Sequence, residues 1–500
     1  MAFVFPDEAV GPLVLTLDIG TSSIRALVYD AHARLLHPDR VQGKEIVVLQ
    51  TGRNGEGTFD PDQLLLAAGN VMDQALESLG GLAGKIRAVA CDSFASSMVV
   101  LDGRGQPITD IFTYADNQCA AQAETLRESY NQTQDHDRTG CMTHSSYWPA
   151  RLAWLRENQP ELWKKARTIC SWTDWLFNQW FGTMRTSLSL ASWTGMLDRR
   201  TLEWDPVGLE RAGLDANRLA PLGDFSDALC GLTAKWARRW PSLAHIPWFL
   251  PIGDGAAANV GSGAHKPGRV ALTIGTTAAM RTVPKRIPTS LPKGLWNYRI
   301  DRNRPLIGGA TTEGGNIYAW MRQNIQEISH LEERLSEREV GIHGLTILPF
   351  WAGERAPNWN DKAKGLISGI TLDTTPLDLV QASLEAVSCR LALILDSMGG
   401  ILGKTENEIV AGGGFLSSPF WVSRMADAFG QPVKPCRLSE TTSRGVALLA
   451  LEALGVFGPT KPIPDPDFDP IVDPDPDRSA TFGRMMAEQQ NLYKRVYGTR

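Results

Sequence analysis

Two short stretches of this chain carry glycine and hydroxyl side chains in the pattern that grips phosphate. Leu17 to Val28 reads LDIGTSSIRALV and Leu272 to Val283 reads LTIGTTAAMRTV, sharing Leu, Ile, Gly, Thr and a closing Val. In each, an apolar strand-like run enters Gly-Thr and a second apolar run leaves it, so each is predicted to be a β-hairpin. Backbone N–H groups and hydroxyls converge at such a bend, and its glycine lets an anion approach the main chain. One bend alone reads equally as a hairpin with a polar tip. Two of them, near the start of each half of the chain, suit a polyphosphate gripped from both sides. Asp18, just ahead of the first bend, is placed to hold Mg²⁺ through water, because that ion prefers oxygen ligands and keeps much of its hydration.

Pro251 to Val260, PIGDGAAANV, is predicted to end a strand and open a small-residue helix. Asp254 stands between two glycines that let a ligand approach its carboxylate, where it could accept the proton of an attacking hydroxyl and aim the oxygen at a γ-phosphate. The same residue also reads as a helix N-cap. Glu408 to Phe415, EIVAGGGF, is predicted to be a strand running into a glycine triplet, with Ser417, Ser418 and Pro419 opening a helix; a flat ligand such as adenine could lie there. Ser417 occupies the place of the third glycine of a dinucleotide fingerprint, which argues against that fold. Gly403-Lys404-Thr405 imitates the end of a Walker loop, but Met398 takes the required earlier glycine and a helical rather than strand pattern precedes it.

The elements that must position these groups follow from length and periodicity. At 500 residues the chain exceeds one ordinary core, and two domains with a cleft between them are expected. We place them at residues 1–263 and 264–500, dividing where Ala264 to Gly268 gathers Gly, His, Lys and Pro. Pro61 to Leu79 is predicted helical, Ile86 to Leu101 to be buried strands around a polar loop at Ser93 to Ser97, and Trp148 to Trp180 helical with a break at Pro160. Phe457 to Arg478 is rich in Pro and Asp and reads as an extended surface connection leading to a last helix, Ala480 to Tyr497.

Composition removes several classes. Net charge is −5, with 50 basic against 55 acidic residues, so no strong positive field gathers nucleic acid or anionic lipid. No apolar run approaches a membrane span and the first residues lack the basic start of a signal peptide, so a cytoplasmic protein is expected. The seven cysteines form no C-x-x-C pair, which suits buried thiols in a reducing compartment.

Assembled, DIGTSSIR, IGDGAAANVGSG, LTIGTTAAMR, LPFWAGERAPNWN (Leu348 to Asn360) and AGGGFLSSPFW resemble the FGGY carbohydrate kinases, which include glycerol, xylulose and gluconate kinases. The likeness spans Leu13 to Leu454, and ASWTGMLD and SRGVALLAL fit it as well. It implies an α/β chain of two ribonuclease-H-like domains of the actin and Hsp70 type, with ATP in the interdomain cleft and the sugar mainly in the first domain. By motif position, Asp254 resembles the catalytic base and Asp18 the Mg²⁺-associated carboxylate, with Asp254 also near the metal. Gly20, Thr21, Ser22 and Arg25 resemble the first phosphate loop, Gly275 and Thr276 the second, and Gly315, Gly413 and Ser417 the nucleotide positions of the second domain. Ser96, Ser97, Asp116, His144 and Asp254 fall on the sugar side.

The likeness leans towards the gluconate branch, with xylulose kinases next, and implies a sugar, polyol or sugar-acid acceptor, Mg·ATP as donor and the family's habit of a homodimer. The sugar loops depart from it. Ala95-Ser96 stands where many relatives have Met-His, Gln118 where they have Arg, and Thr312-Glu313 where they have two Asn. An arginine fork would favour an anionic or hydroxyl-rich substrate. A different class on the same fold, an actin- or Hsp70-like ATPase or nucleotide-dependent sensor, would need no sugar.

Overall fold

The computed structural model describes residues 3–360, 362–403 and 407–498. The chain divides into two compact units. The first takes residues 1–261, 297–306 and 440–465, and the second takes 262–296, 307–439 and 466–500.

The first unit is built on a five-stranded sheet of β1 (Leu13–Ile19), β2 (Ser23–Tyr29), β3 (Gly43–Ile46), β4 (Ile86–Ser93) and β5 (Ile252–Gly253), in the order β5-β4-β1-β2-β3. β1 runs antiparallel to β2 and parallel to β4, and β5 runs parallel to β4. Every residue of β1 is buried, as its near-continuous apolar sequence requires of a strand covered on both faces. Helix α1 (Pro61–Leu79) starts where Asp60 accepts a hydrogen bond from Gln63 N–H at 2.8 Å and Pro61 takes the first position. Its Leu64, Ala68, Val71, Met72 and Ala75 recur at helical spacing and are buried. Gly43 lets β3 pass under that helix, since a Cβ there would lie 1.9 Å from the carbonyl oxygen of Val71. Much of the tryptophan content fills this core, with Trp180 edge-on to Trp240 at 5.3 Å.

The sheet of the second unit carries β6 (Arg269–Ile274), β7 (Ala278–Thr282), β8 (Pro305–Thr311), β9 (Glu408–Gly412) and β10 (Val433–Pro435), in the order β8-β7-β6-β9-β10. Here too a hairpin is flanked on one side by an antiparallel strand and on the other by two parallel strands. The repeated sequence therefore marks a repeated topology, with one difference. Ile19 pairs with Ile24 across the first bend, but Ile274 pairs with Ala278 across the second, which is one residue shorter. Helices α2 (Asp254–Gly261) and α3 (Gly315–Asn324) come earlier in the chain, and the core of this unit is threaded by α4 (Pro376–Leu402), opened by a reciprocal Thr375/Asp378 capping box. Gly403 follows that helix, as the helical pattern ahead of the Walker-like run requires; Lys404 and Thr405 lie outside the described residues.

Two predicted elements differ. The stretch expected to be helical to Trp180 is interrupted by the strand Thr168–Cys170, paired with Val99–Leu101; a three-residue strand is too short to show a period. The last helix, α7 (Pro476–Tyr497), begins four residues ahead of Ala480, because Asp475 accepts from Arg478 N–H at 2.9 Å and Pro476 is at the first turn, where proline favours a helix. The seven cysteines are free, and six of them are buried. Among the described residues no helix is long and apolar enough to cross a membrane.

Candidate active site

Three neighbouring parallel strands of the first unit carry an acid at or just beyond their C-terminal ends. Asp18 on β1 lies opposite Asp92 on β4, and Asp92 in turn lies opposite Ile252 on β5, two residues before Asp254. Asp254 is the first residue of helix α2 (Asp254–Gly261), and its Oδ1 accepts from Gly255 N–H at 2.7 Å. Across the hairpin Asp18 faces Arg25, whose guanidinium lies 2.7 Å from the Asp18 carboxylate and 2.7 Å from that of Glu440. Burial works against the charge of Arg25, but the two acids outweigh it and hold the guanidinium more firmly protonated than usual. Asp92 is fully buried, and burial followed by the nearby Asp18 carboxyl pushes its pKa well above the usual carboxylate range.

The support for Asp254 comes from distant parts of the chain. Ser189 accepts from Gly253 N–H at 3.2 Å and Ser187 donates to the Pro251 carbonyl at 2.5 Å, pinning β5. Gly253 also leaves room for Trp193, since a Cβ there would meet the indole nitrogen at 2.8 Å. Trp193 stacks on Tyr298 with ring centres 3.9 Å apart, and the Tyr298 hydroxyl bonds that of Tyr147. Helix α2 packs along α6 (Thr441–Ala453), so closely that a Cβ on Gly261 would lie 1.8 Å from the carbonyl oxygen of Thr441. Arg444 adds a 2.6 Å bond to the Gly261 carbonyl.

The other residues singled out in the sequence are distributed unevenly. Gly20, Thr21 and Ser22 form the bend beyond Asp18, closed by Gly20 N–H to the Ser23 carbonyl at 3.0 Å. Ser96 sits at φ 61° and donates to the Ser146 carbonyl at 2.5 Å. Ser97 and Asp116 also tie scaffold groups: Ser97 Oγ accepts from Trp172 N–H at 3.2 Å, and Asp116 accepts from Gly57 N–H at 3.0 Å and Gln118 Nε2 at 2.8 Å. His144 pairs with the Ser146 hydroxyl at 2.9 Å and lines a cavity of about 80 Å³ with Arg138, Cys141 and Tyr147, while Asp254 is not among that cavity's walls.

The second unit holds a larger cavity of about 820 Å³, walled by Gly275, Thr276, Gly315, Ser417, Tyr318 and Trp421 among others. Helix α3 (Gly315–Asn324) is tied to the second bend through Gly315 N–H to the Gly275 carbonyl at 2.7 Å and Asn316 N–H to that of Thr276 at 3.1 Å. Gly413 has φ 108°, and a Cβ there would lie 2.3 Å from the Ile274 carbonyl oxygen. Its neighbours Gly414 and Ile274 line the cavity, as does Ser418, which caps α5 (Pro419–Phe429). Volume, aromatic walls and glycine bend together suit a nucleotide.

The FGGY family of carbohydrate kinases matches through its N-terminal domain over residues 13–261 and through its C-terminal domain over residues 270–454. The chain belongs to this family. Gluconokinase of Bacillus subtilis (strain 168) is 27% identical over 461 residues, 88% of each chain. The ligand-bound xylulose kinase of Lactobacillus acidophilus superposes with a TM-score of 0.90 at 22% identity over 97% of this chain and 99% of that one. A gluconate kinase from the same organism gives 0.89 at 22% over 97% and 98%. The fold is thus the two-unit, actin- and Hsp70-like α/β fold of the sugar kinases, and the protein is a carbohydrate kinase, a phosphotransferase with an alcohol acceptor. The alternative of a sugar-independent ATPase gives way to that family match.

Several groups around the kinase's site escaped sequence reading. Asp92 carried a signal, an acid at the end of an apolar strand run, whereas Trp193, Tyr298 and Glu440 come together only through long-range packing. Glu313, marked in the sequence only as a departure at Thr312-Glu313, stands two residues beyond β8, is buried, accepts from Ala352 N–H at 2.9 Å and from the Thr312 hydroxyl at 2.7 Å, and has its pKa raised to about 7, chiefly by burial. It links the turn ahead of α3 to the loop Pro349 to Glu354.

Proposed function

We propose that this kinase transfers the γ-phosphate of ATP to a hydroxyl of a gluconate-like sugar acid or a ketopentose such as xylulose, with Asp254 as general base. The observation that carries the reading is the placement of Asp254 at the head of α2, flanked by glycine and set one strand from Asp92 and two from Asp18. A carboxylate held this way can take the proton of an alcohol while fixing its oxygen for in-line attack. Trp193, stacked on Tyr298 beside Gly253, offers an apolar face to the carbon side of a sugar. Thr21 and Ser22 offer hydroxyl donors to phosphate and Thr276 offers one from the cavity that would take the adenosine, while Gly20 and Gly275, whose N–H groups close their own bends onto the Ser23 and Thr277 carbonyls, add no side chain in the way of an anion.

Carboxylate oxygens suit a hard divalent ion, and the Asp18 and Asp254 carboxyls, both near enough to Asp92 to push up its pKa, are the groups that would hold it. When bound, Mg²⁺ would offset charge on the phosphates. The acceptor preference follows the gluconokinase and xylulose kinase relatives. Gln118, replacing an arginine, turns its amide onto Asp116, which favours an acceptor recognised by hydroxyls over one recognised by its charge. The test is ADP release from Mg·ATP against a panel of gluconate, xylulose, ribulose and glycerol. Acceleration by gluconate or a ketopentose supports the reading; a preference for glycerol, or no acceleration by any of them, overturns it.

A further inference from the structure

The Thr312 hydroxyl has one hydrogen and two acceptors for it. Its Oγ1 lies 2.7 Å from Glu313 Oε2 and 2.5 Å from the Gly353 carbonyl oxygen. With Glu313 ionised, the hydrogen goes to one of the two and the other oxygen faces Thr312 without a donor, which is costly for buried groups. With Glu313 protonated, the carboxyl donates to Thr312, Thr312 donates to Gly353, and Glu313 Oε1 still accepts from Ala352 N–H at 2.9 Å. One proton therefore completes a chain from the turn ahead of α3 to the loop Pro349 to Glu354. That turn also anchors the nucleotide-sized cavity. The Thr312 carbonyl accepts from Asn316 Nδ2 at 3.1 Å, and Asn316 Oδ1 accepts from Gly314 N–H at 2.9 Å. Gly315 and Asn316 pass their own N–H groups to the Gly275 and Thr276 carbonyls, and all four residues line the cavity. Trp351 of the loop meets Trp320 of the same wall edge-on at 5.7 Å.

We propose that Glu313 is a positioning residue for the nucleotide: its protonated carboxyl, acting through Thr312 and Asn316, fixes the second glycine bend and α3 in the arrangement that binds, and its ionisation weakens binding. The proposal rests on the reading of the cavity of about 820 Å³ as the nucleotide site. It adds to that reading a proton held more tightly when the ligand is bound, since the coupling is reciprocal. The charged groups facing Glu313 are Arg390 on α4 and Glu354 and Arg355 beyond the loop, which line one crevice with it, while Tyr493 on α7 lies against Glu354. Arg390 is ion-paired with Glu354, and its pull on Glu313 is smaller than the burial that keeps the proton on.

The test is calorimetric titration of the full-length protein with ADP between about pH 6 and pH 9. Glu313→Gln keeps a donor towards Thr312 at every pH and does not ionise, so the ratio of wild-type to variant Kd cancels the titration of ADP and of Glu354. That ratio should be near one at the acid end and rise by about 5-fold or more at the alkaline end. Thr312→Val removes the relay, so it should bind about 5-fold or more weakly than wild type at the acid end and equally at the alkaline end, a comparison that needs no folded Gln variant. A purely structural role would shift Kd by one factor at every pH. Either ratio independent of pH overturns the proposal, as does a Gln variant weaker than wild type at the acid end. Absence of ADP binding at any pH overturns the cavity reading along with it, whereas binding with flat ratios overturns this proposal alone.

Discussion

Gly445 of α6 lies against the main chain of α2, where a Cβ would sit 1.9 Å from the carbonyl oxygen of Ala257. The neighbour is backbone, which cannot swing aside. Gly445→Ala should therefore separate the two helices and cost about 1–3 kcal/mol in urea denaturation. It should also lower kcat, since α2 carries Asp254 at its head. Stability and kcat both equal to wild type would show that the helix pair does not hold the base.

Asp254→Asn keeps the shape of the side chain and removes its basicity. Turnover should fall by about 10²- to 10⁴-fold with little change in ADP affinity by calorimetry. An Asn variant with full turnover would remove Asp254 from the role of base.

Gly413 combines a left-handed backbone with contact against Ile274. Gly413→Ala should distort the wall of the 820 Å³ cavity and weaken ADP by at least about 10-fold, equivalent to 1.4 kcal/mol. Calorimetric titration with ADP measures it, and a variant with wild-type affinity would move the nucleotide elsewhere.

Glu313 supplies a pH dependence. Its folded pKa, about 7, lies above the ordinary 4.5, so the folded protein holds this proton more tightly than the unfolded chain. That stabilisation is complete below about pH 4.5 and is lost as pH rises towards 7. Glu313→Gln abolishes it, so the stability of wild type relative to the variant should fall between about pH 5 and 7. Asp174, also raised to about 7, is present in both proteins and cancels in the difference.

Arg25 and Glu440 come from opposite ends of the first unit's chain path. A double-mutant cycle of Arg25→Met and Glu440→Gln should return a coupling of about 0.5–3 kcal/mol. Additive effects within about 0.3 kcal/mol would mean the contact contributes nothing.

Sequence reading succeeded where chemistry is local. The two hairpins, the helix Pro61–Leu79 and the small-residue helix after Asp254 each announce themselves by a glycine, a cap or a period within a dozen residues. It was weaker where a polar group's task depends on remote neighbours. Asp116 reads as a substrate ligand, and nothing near it in the chain shows that Gly57, far upstream, also donates to it. Ser97 gives no local sign that its Oγ accepts from Trp172 N–H. Glu440 is an ordinary acid in the sequence and becomes the partner of Arg25 only because residues 440–465 join the first unit.

That late joining has a bearing on synthesis. A ribosome releases α2 long before α6, so the nascent first unit carries an uncovered glycine and alanine face and an Arg25 with one acid fewer until residue 453 has cleared the exit tunnel. Asp254 thus reaches its supported position only near the end of translation, and a fragment stopped short of Glu440 would hold Asp18, Asp92 and Asp254 without the helix that packs on α2.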